Sequence, residues 1–184
     1  MAVTYSTAAK TARMQAIADL IDGGDGAGVI EIGTAGMASV LATLPLADPC
    51  GTAAAGVLTF DMDPAIEDAE ADASGRPGAF RVKDGDGEEV LTGHAAGPWL
   101  ASTAYVSGEY VTADGGKLYH CTDAGTSAGS GGPSGTGDSI SDGGATWEWV
   151  ASSAWGVALD SALFTVGQAV SLTGGTITHA PDEP

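Results

Sequence analysis

Residues 98–150 read PWLASTAYVSGEYVTADGGKLYHCTDAGTSAGSGGPSGTGDSISDGGATWEWV, and the fold turns on this stretch. It holds all but one of the chain's tryptophans, with Trp99, Tyr105, Tyr110, Tyr119, Trp147 and Trp149 set among glycine, serine and threonine. The runs TAYV, EYV, KLYHC and TWEWV have strand length and are separated by a DGG turn and a long glycine-serine segment, so the block reads as a small β module. A module with so few leucines and isoleucines must build its core from rings, and Trp99, Tyr110, Tyr119 and Trp147 are the candidates. Alternation puts Trp147 and Trp149 on one face of the last strand, with Glu148 and Val150 on the other.

Outward from the block, residues 1–96 and 154–184 are expected to form a discontinuous host domain that carries 97–153 as an insert. Over 7–21, Met14, Ile17, Leu20 and Ile21 recur at helical spacing, with Thr4 or Ser6 as N-cap and Asp22-Gly23-Gly24 as the stop. VIEI at 29–32, SVLATLPL at 39–46 and GVLTF at 56–60 read as strands. The acidic stretch 64–73, with no apolar stripe beyond Ile66, reads as a solvated loop or frayed helical turn. Segments 79–82 and 88–92 flank KDGDG and predict a hairpin. Near the C-terminus, Val166-Gly167-Gln168 reads as a turn and Val170, Leu172 and Ile177 as core. The predicted class is mainly β with one N-terminal α-helix (α+β), a small β-sandwich or barrel-like host with an aromatic-rich β module inserted at a surface hairpin tip.

Composition limits function. A chain of 184 residues that is 43% hydrophobic supports one modest core or two small ones. The formal charge of −18 opposes binding to nucleic-acid phosphates. Lys10, Arg13 and Asp19 interrupt the first apolar stretch, which does not fit a signal peptide, and no run approaches the roughly 20 apolar residues of a membrane span. No membrane insertion is expected. Cys50 and Cys121 lie in different units and are expected to be free, partly buried thiols.

Candidate chemistry is thin. Asp84, Asp86 and Glu88 lack the further oxygens that calcium requires and read as a charged hairpin tip. DGGDGAG at 22–28 follows a helix instead of opening one and has no lysine, unlike a phosphate loop. His94, His120 and His179 share no metal-binding spacing, and His120-Cys121 beside Asp123 lacks an orienting group. No enzyme activity, catalytic residue, metal or cofactor is expected.

The segments MAVTYSTAAKTARMQAIADLIDGGDGAGVIEIGTAGMASVLATLPLADP, GVLTFDMDP, RVKDGDGEEVLTG and VGQAVSLTGGTITHA together resemble a family of small virion-associated proteins of tailed bacteriophages and prophages. The resemblance implies a non-enzymatic capsid decoration protein on the outer surface of the head, made in the bacterial cytoplasm. Its partners would be the major capsid protein or other virion proteins, and it would be a homo-oligomer, with trimers common among such proteins. A tail-fibre, collar or other tail-associated adhesin is the alternative. The acidic surface suits a subunit that docks on a complementary partner.

The insert is similar to the small chitin-binding modules of chitinases, which open with Trp, continue with Tyr, Gly and an acidic residue before Val, and close on a Trp-containing strand. The loop 122–142 is longer than that pattern. The resemblance implies binding to host-surface or environmental polysaccharide. An aromatic plane can cover the apolar face of a sugar ring, and Trp99, Tyr105 and Trp149 are the expected glycan contacts.

Overall fold

Thr7–Ile21 forms helix α1 because Ser6 caps its start, the Ser6 hydroxyl accepting from the Ala9 amide at 3.2 Å. Asp22 closes it, its amide donating to the Ala18 carbonyl at 2.9 Å. Met14, Ala18 and Ile21 form the buried stripe. Leu20, expected on that stripe, is instead 59% exposed, because it sits about 100° round the helix from Ile21. Leu20→Gln should therefore change stability by less than about 0.5 kcal/mol in urea unfolding, and a loss above about 1 kcal/mol would place Leu20 in the core.

The structure is a computed structural model that describes residues 4–151, 156–159, 161–172 and 175–178. The expected boundary at 153/154, Trp155 and His179 lie outside the described residues. In chain order the strands are β1 (Val29–Gly33), β2 (Val40–Pro45), β3 (Gly51–Ala54), β4 (Val57–Phe60), β5 (Glu67–Asp68), β6 (Ala79–Lys83), β7 (Glu89–Pro98) and β8 (Ala104–Tyr105). There follow β9 (Tyr110–Ala113), β10 (Lys117–Asp123), β11 (Gly125–Thr126), β12 (Ile140–Asp142), β13 (Ala145–Ala151), β14 (Gly156–Ala158), β15 (Val170–Ser171) and β16 (Thr176–Thr178). The chain is mainly β with a single N-terminal α-helix among the described residues.

One nine-stranded sheet runs in the order β12-β13-β10-β9-β7-β6-β1-β2, with β14 paired to β7 off that path. The path has two ends, so the sheet is open. A three-stranded sheet, β16-β4-β3, carries α1, and β11-β8 and β15-β5 are two-stranded ribbons. In the large sheet Ile30 and Ile32 lie opposite Leu44 and Ala42 and are buried with them, which turns Glu31 to the other face. The small residues of β3 carry no strand pattern. Their pairing to β4, from Gly51↔Phe60 to Ala54↔Val57, decides the strand.

The β6–β7 hairpin forms as its sequence predicts, and the side chain of Asp84 closes it by accepting from the amides of Asp86 at 3.0 Å and Glu88 at 2.8 Å. The stretch 64–73 is not a solvated loop. Ile66 and Ala71 are buried, and Asp68 Oδ2 accepts from the Thr43 amide at 2.9 Å, so the segment straps the free edge of β2.

The insert does not leave from a hairpin tip. Gly156, Val157 and Ala158 pair in parallel with His94, Ala95 and Ala96. Parallel neighbours need a crossover of a dozen or more residues, so the block itself is the crossover, and a short loop could not replace it. The expected boundary at 96/97 falls inside β7, whose last residues pair in parallel with β9 at Gly97↔Val111 and Pro98↔Thr112. Two main cores result. One gathers Met14, Ile21, Ile32, Leu44, Leu58 and Phe164, and the other gathers Tyr105, Val111, Tyr119, Cys121, Ala145 and Trp147.

Candidate functional site

The aromatic core is organised by a carboxylate. Trp147 and Tyr119 are fully buried on β13 and β10, and Asp142, 4% exposed at the end of β12, lies among the rings. Asp142 Oδ2 accepts from the indole N–H of Trp99 at 2.7 Å and of Trp147 at 3.2 Å, and Oδ1 accepts from the Ala128 amide at 3.0 Å. Buried indole donors need an acceptor, and one charged group serves two of them.

The glycine-serine loop is pinned over this core. Pro133 is buried, the Tyr119 hydroxyl donates to the Gly135 carbonyl at 2.9 Å, and the Gly135 amide donates to Asp114 at 3.0 Å. The Trp149 amide donates to the Gly137 carbonyl at 2.9 Å. Gly132 adopts φ 75° against the Trp99 indole, where a Cβ would sit 3.0 Å from Trp99 Cδ2. The loop's extra length is thus the length of a cover.

The three expected glycan contacts belong to one cluster, as packing. Tyr105 is 3% exposed and has no free face for a sugar: Trp147 meets its ring at 4.9 Å, the Arg76 guanidinium lies 4.7 Å above it, and its hydroxyl accepts from the Leu100 amide at 2.8 Å. Trp99 and Trp149 are half-buried, Trp99 tied to Asp142 and Trp149 with its indole N–H buried without an acceptor. Tyr110, expected in the core, is half-buried on the opposite face, packed against a small separate cluster of Ala96, Leu118 and Ala151.

That opposite face carries a row of rings. The Tyr110 ring on β9 stacks on His94 of β7 with centroids 3.9 Å apart and on His120 of β10 at 4.8 Å, the planes inclined by 23° and 24°. Because β9 lies between β7 and β10, the tyrosine is sandwiched between the two imidazoles. His120 Nδ1 then meets Glu148 Oε1 on β13 at 2.8 Å, which places the Nδ1 proton toward the carboxylate. Desolvation in the stack, and then the charge of His120, push the His94 pKa below the ordinary histidine value. Burial and then Glu148 push the Tyr110 phenol up.

Register extends this face into the host. Arg81 lies opposite both Thr92 and Glu31, and alternation along β7 puts His94 on the side of Thr92. Arg81 and Lys83 both pair with Glu31, Lys83 at 2.8 Å. Burial works to raise the Glu31 pKa, but the hydrogen bonds from Lys83 and Arg81 outweigh it and hold the carboxyl below its usual range. Alternation alone could have separated Tyr110, His120 and Glu148 from the core once Val111, Tyr119 and Trp147 were assigned to it. The stack itself needs the strand order β7-β9-β10, for which the sequence carries no signal.

A second contact ties host to block. Arg76, just ahead of β6, grips Glu109 with Nε–Oε1 at 2.9 Å and a second nitrogen to Oε2 at 3.2 Å, and it donates to the Ala104 carbonyl at 2.5 Å. Glu109 Oε2 also accepts from the Val106 amide at 2.7 Å. Beside this pair an open groove is edged by Val106 and Leu163, 55% and 52% exposed.

The chain matches no known family, curated protein or solved structure.

Cys50 and Cys121 are free and buried. Desolvation, then Asp22, pushes the Cys50 thiol up to about 12, and desolvation, then Glu109, pushes Cys121 up to about 11, so neither is a ready nucleophile. Among the described residues no group of three or more His, Cys, Asp or Glu is arranged to hold a metal ion.

Proposed function

We propose that this chain is a non-enzymatic structural component of a tailed-phage virion, a decoration protein that docks by its acidic surface on a basic patch of the major capsid protein. The observation behind this reading is the disposition of its charge. Of the chain's 6 lysines and arginines, Arg76, Arg81, Lys83 and Lys117 face the chain's own carboxylates. The remaining acidic side chains therefore present most of the −18 charge outward, which favours a complementary cationic partner over self-association. Val106 and Leu163 add exposed apolar surface of the kind a docked subunit covers. The packing of Trp99, Tyr105 and Trp149 lends no support to the alternative of a polysaccharide-binding tail adhesin.

The purified chain should co-sediment with heads, and not with tails, of a phage that encodes it, saturating at a fixed ratio. Binding should weaken as salt rises from about 0.1 M to about 1 M, where the screening length falls from about 10 Å to about 3 Å. Sedimentation with tails alone would favour the adhesin, and binding to neither would remove both readings.

A further inference from the structure

We propose that the row His94–Tyr110–His120–Glu148 is a proton-sensitive latch between host strand β7 and the aromatic block, closed while His94 is neutral and loosened when both imidazoles carry a proton. The row crosses the place where the large sheet is thinnest. β7 and β9 share only the pairs Gly97↔Val111 and Pro98↔Thr112, supplemented by the Trp99 amide donating to the Thr112 carbonyl at 2.9 Å. The His94–Tyr110 stack at 3.9 Å spans this junction beside a small apolar cluster on the same face, in which Ala96 of β7, Leu118 of β10 and Ala151 of β13 are buried against Tyr110.

The two imidazoles differ in their surroundings. The His120 imidazole lies 2.8 Å from the Glu148 carboxylate and against the Tyr110 ring. Among the described residues no carboxylate forms an ion pair with His94. His94 faces Tyr110 of β9 and, beyond that ring, His120 of β10; Arg81 of β6, opposite Thr92 on the same face, is engaged with Lys83 by Glu31 of β1. β14, paired alongside His94, consists of Gly156, Val157 and Ala158 and brings no titratable group. Charging His94 therefore sets two imidazolium ions on opposite faces of one tyrosine, where they repel each other.

The sign follows from His94 holding its proton less tightly in the fold than its ordinary 6.5. The stabilisation is fully present above 6.5 and is lost as pH falls through 6.5 toward the lower folded value. Loosening by acid does not depend on the virion role and would hold for this chain in any setting.

The test is the Trp99 amide, which reports the junction directly. Its hydrogen-exchange protection, corrected for intrinsic rate, should fall by about threefold or more between about pH 7.5 and about pH 5. His94→Gln should flatten that dependence, and His120→Gln should reduce it. A parallel NMR titration of His94 in the unmodified protein should show a midpoint below that of a free histidine, whether or not the variants fold. A His94 midpoint at or above 6.5, flat or rising protection on acidification, or an undiminished slope in His94→Gln would each overturn the latch.

Discussion

Replacing Asp142 with alanine should lower the stability of the aromatic block by about 3–4 kcal/mol, read as a shift of the urea midpoint followed by tryptophan fluorescence. One carboxylate satisfies the indole N–H groups of Trp99 and Trp147 and the amide of Ala128, and Asp142 is 4% exposed, so water cannot readily take its place. Each buried donor left without an acceptor costs about 1–3 kcal/mol. Asp142→Asn separates charge and shape. Its single carbonyl oxygen can serve either the two indoles or the Ala128 amide, while its NH2 group confronts the other side donor to donor. A loss of about 1–2 kcal/mol is expected, between wild type and alanine. Equal stability of Asp142→Ala and wild type would mean that the rings pack without this carboxylate.

Glu109→Ala should be the second large loss, about 2–3 kcal/mol by the same measurement, because it strands the Arg76 guanidinium against the Tyr105 ring and removes the acceptor of the Val106 amide. Arg76 keeps 26% of its side chain exposed, so water recovers part of its solvation and the loss stays below that of a wholly buried pair. The double substitution Arg76→Met with Glu109→Leu should recover much of the stability, since it removes both charges together and fills their place with apolar atoms. If the double variant is no better than Glu109→Ala, the contact acts by shape and not by charge.

These two side chains also show where reading the sequence stops. Ser6 as helix cap, the stripe through Met14 and Ile21, the strands at 29–33 and 40–45, and the Asp84 hairpin are all local: the residues that make each feature lie within one turn or one strand. Periodicity and turn chemistry therefore suffice to find them. Leu20 went to the wrong face because two adjacent apolar residues leave the stripe ambiguous by one position until the helix has something to pack against. The strap at 66–73 was hidden for another reason. Its acidic residues are hydrogen-bond acceptors for the β2 edge, as with Asp68 and Thr43, and composition cannot distinguish an acceptor from a solvated charge.

The aromatic block is the sharpest case. That its rings form a core, that Trp147 and Glu148 point to opposite faces, and that the chain is mainly β with one helix were legible in residue type and in the two-residue period of a strand. Which rings remain open to solvent was not. Residue type alone points to Trp99, Tyr105 and Trp149 as glycan contacts, yet the loop at 122–142 folds back over Trp99 and Arg76 arrives from the host to cover Tyr105. Local sequence thus determined the helix, the longer strands, the alternation of faces along them and the net charge, all properties of a few neighbouring residues. Tertiary structure alone decided that β7 runs unbroken from host into block, that Asp142 bridges two indoles, and that His94 meets Tyr110 and His120. Each of those contacts joins residues brought together by strand order and parallel pairing, and pairing between distant strands leaves no periodic mark in the sequence.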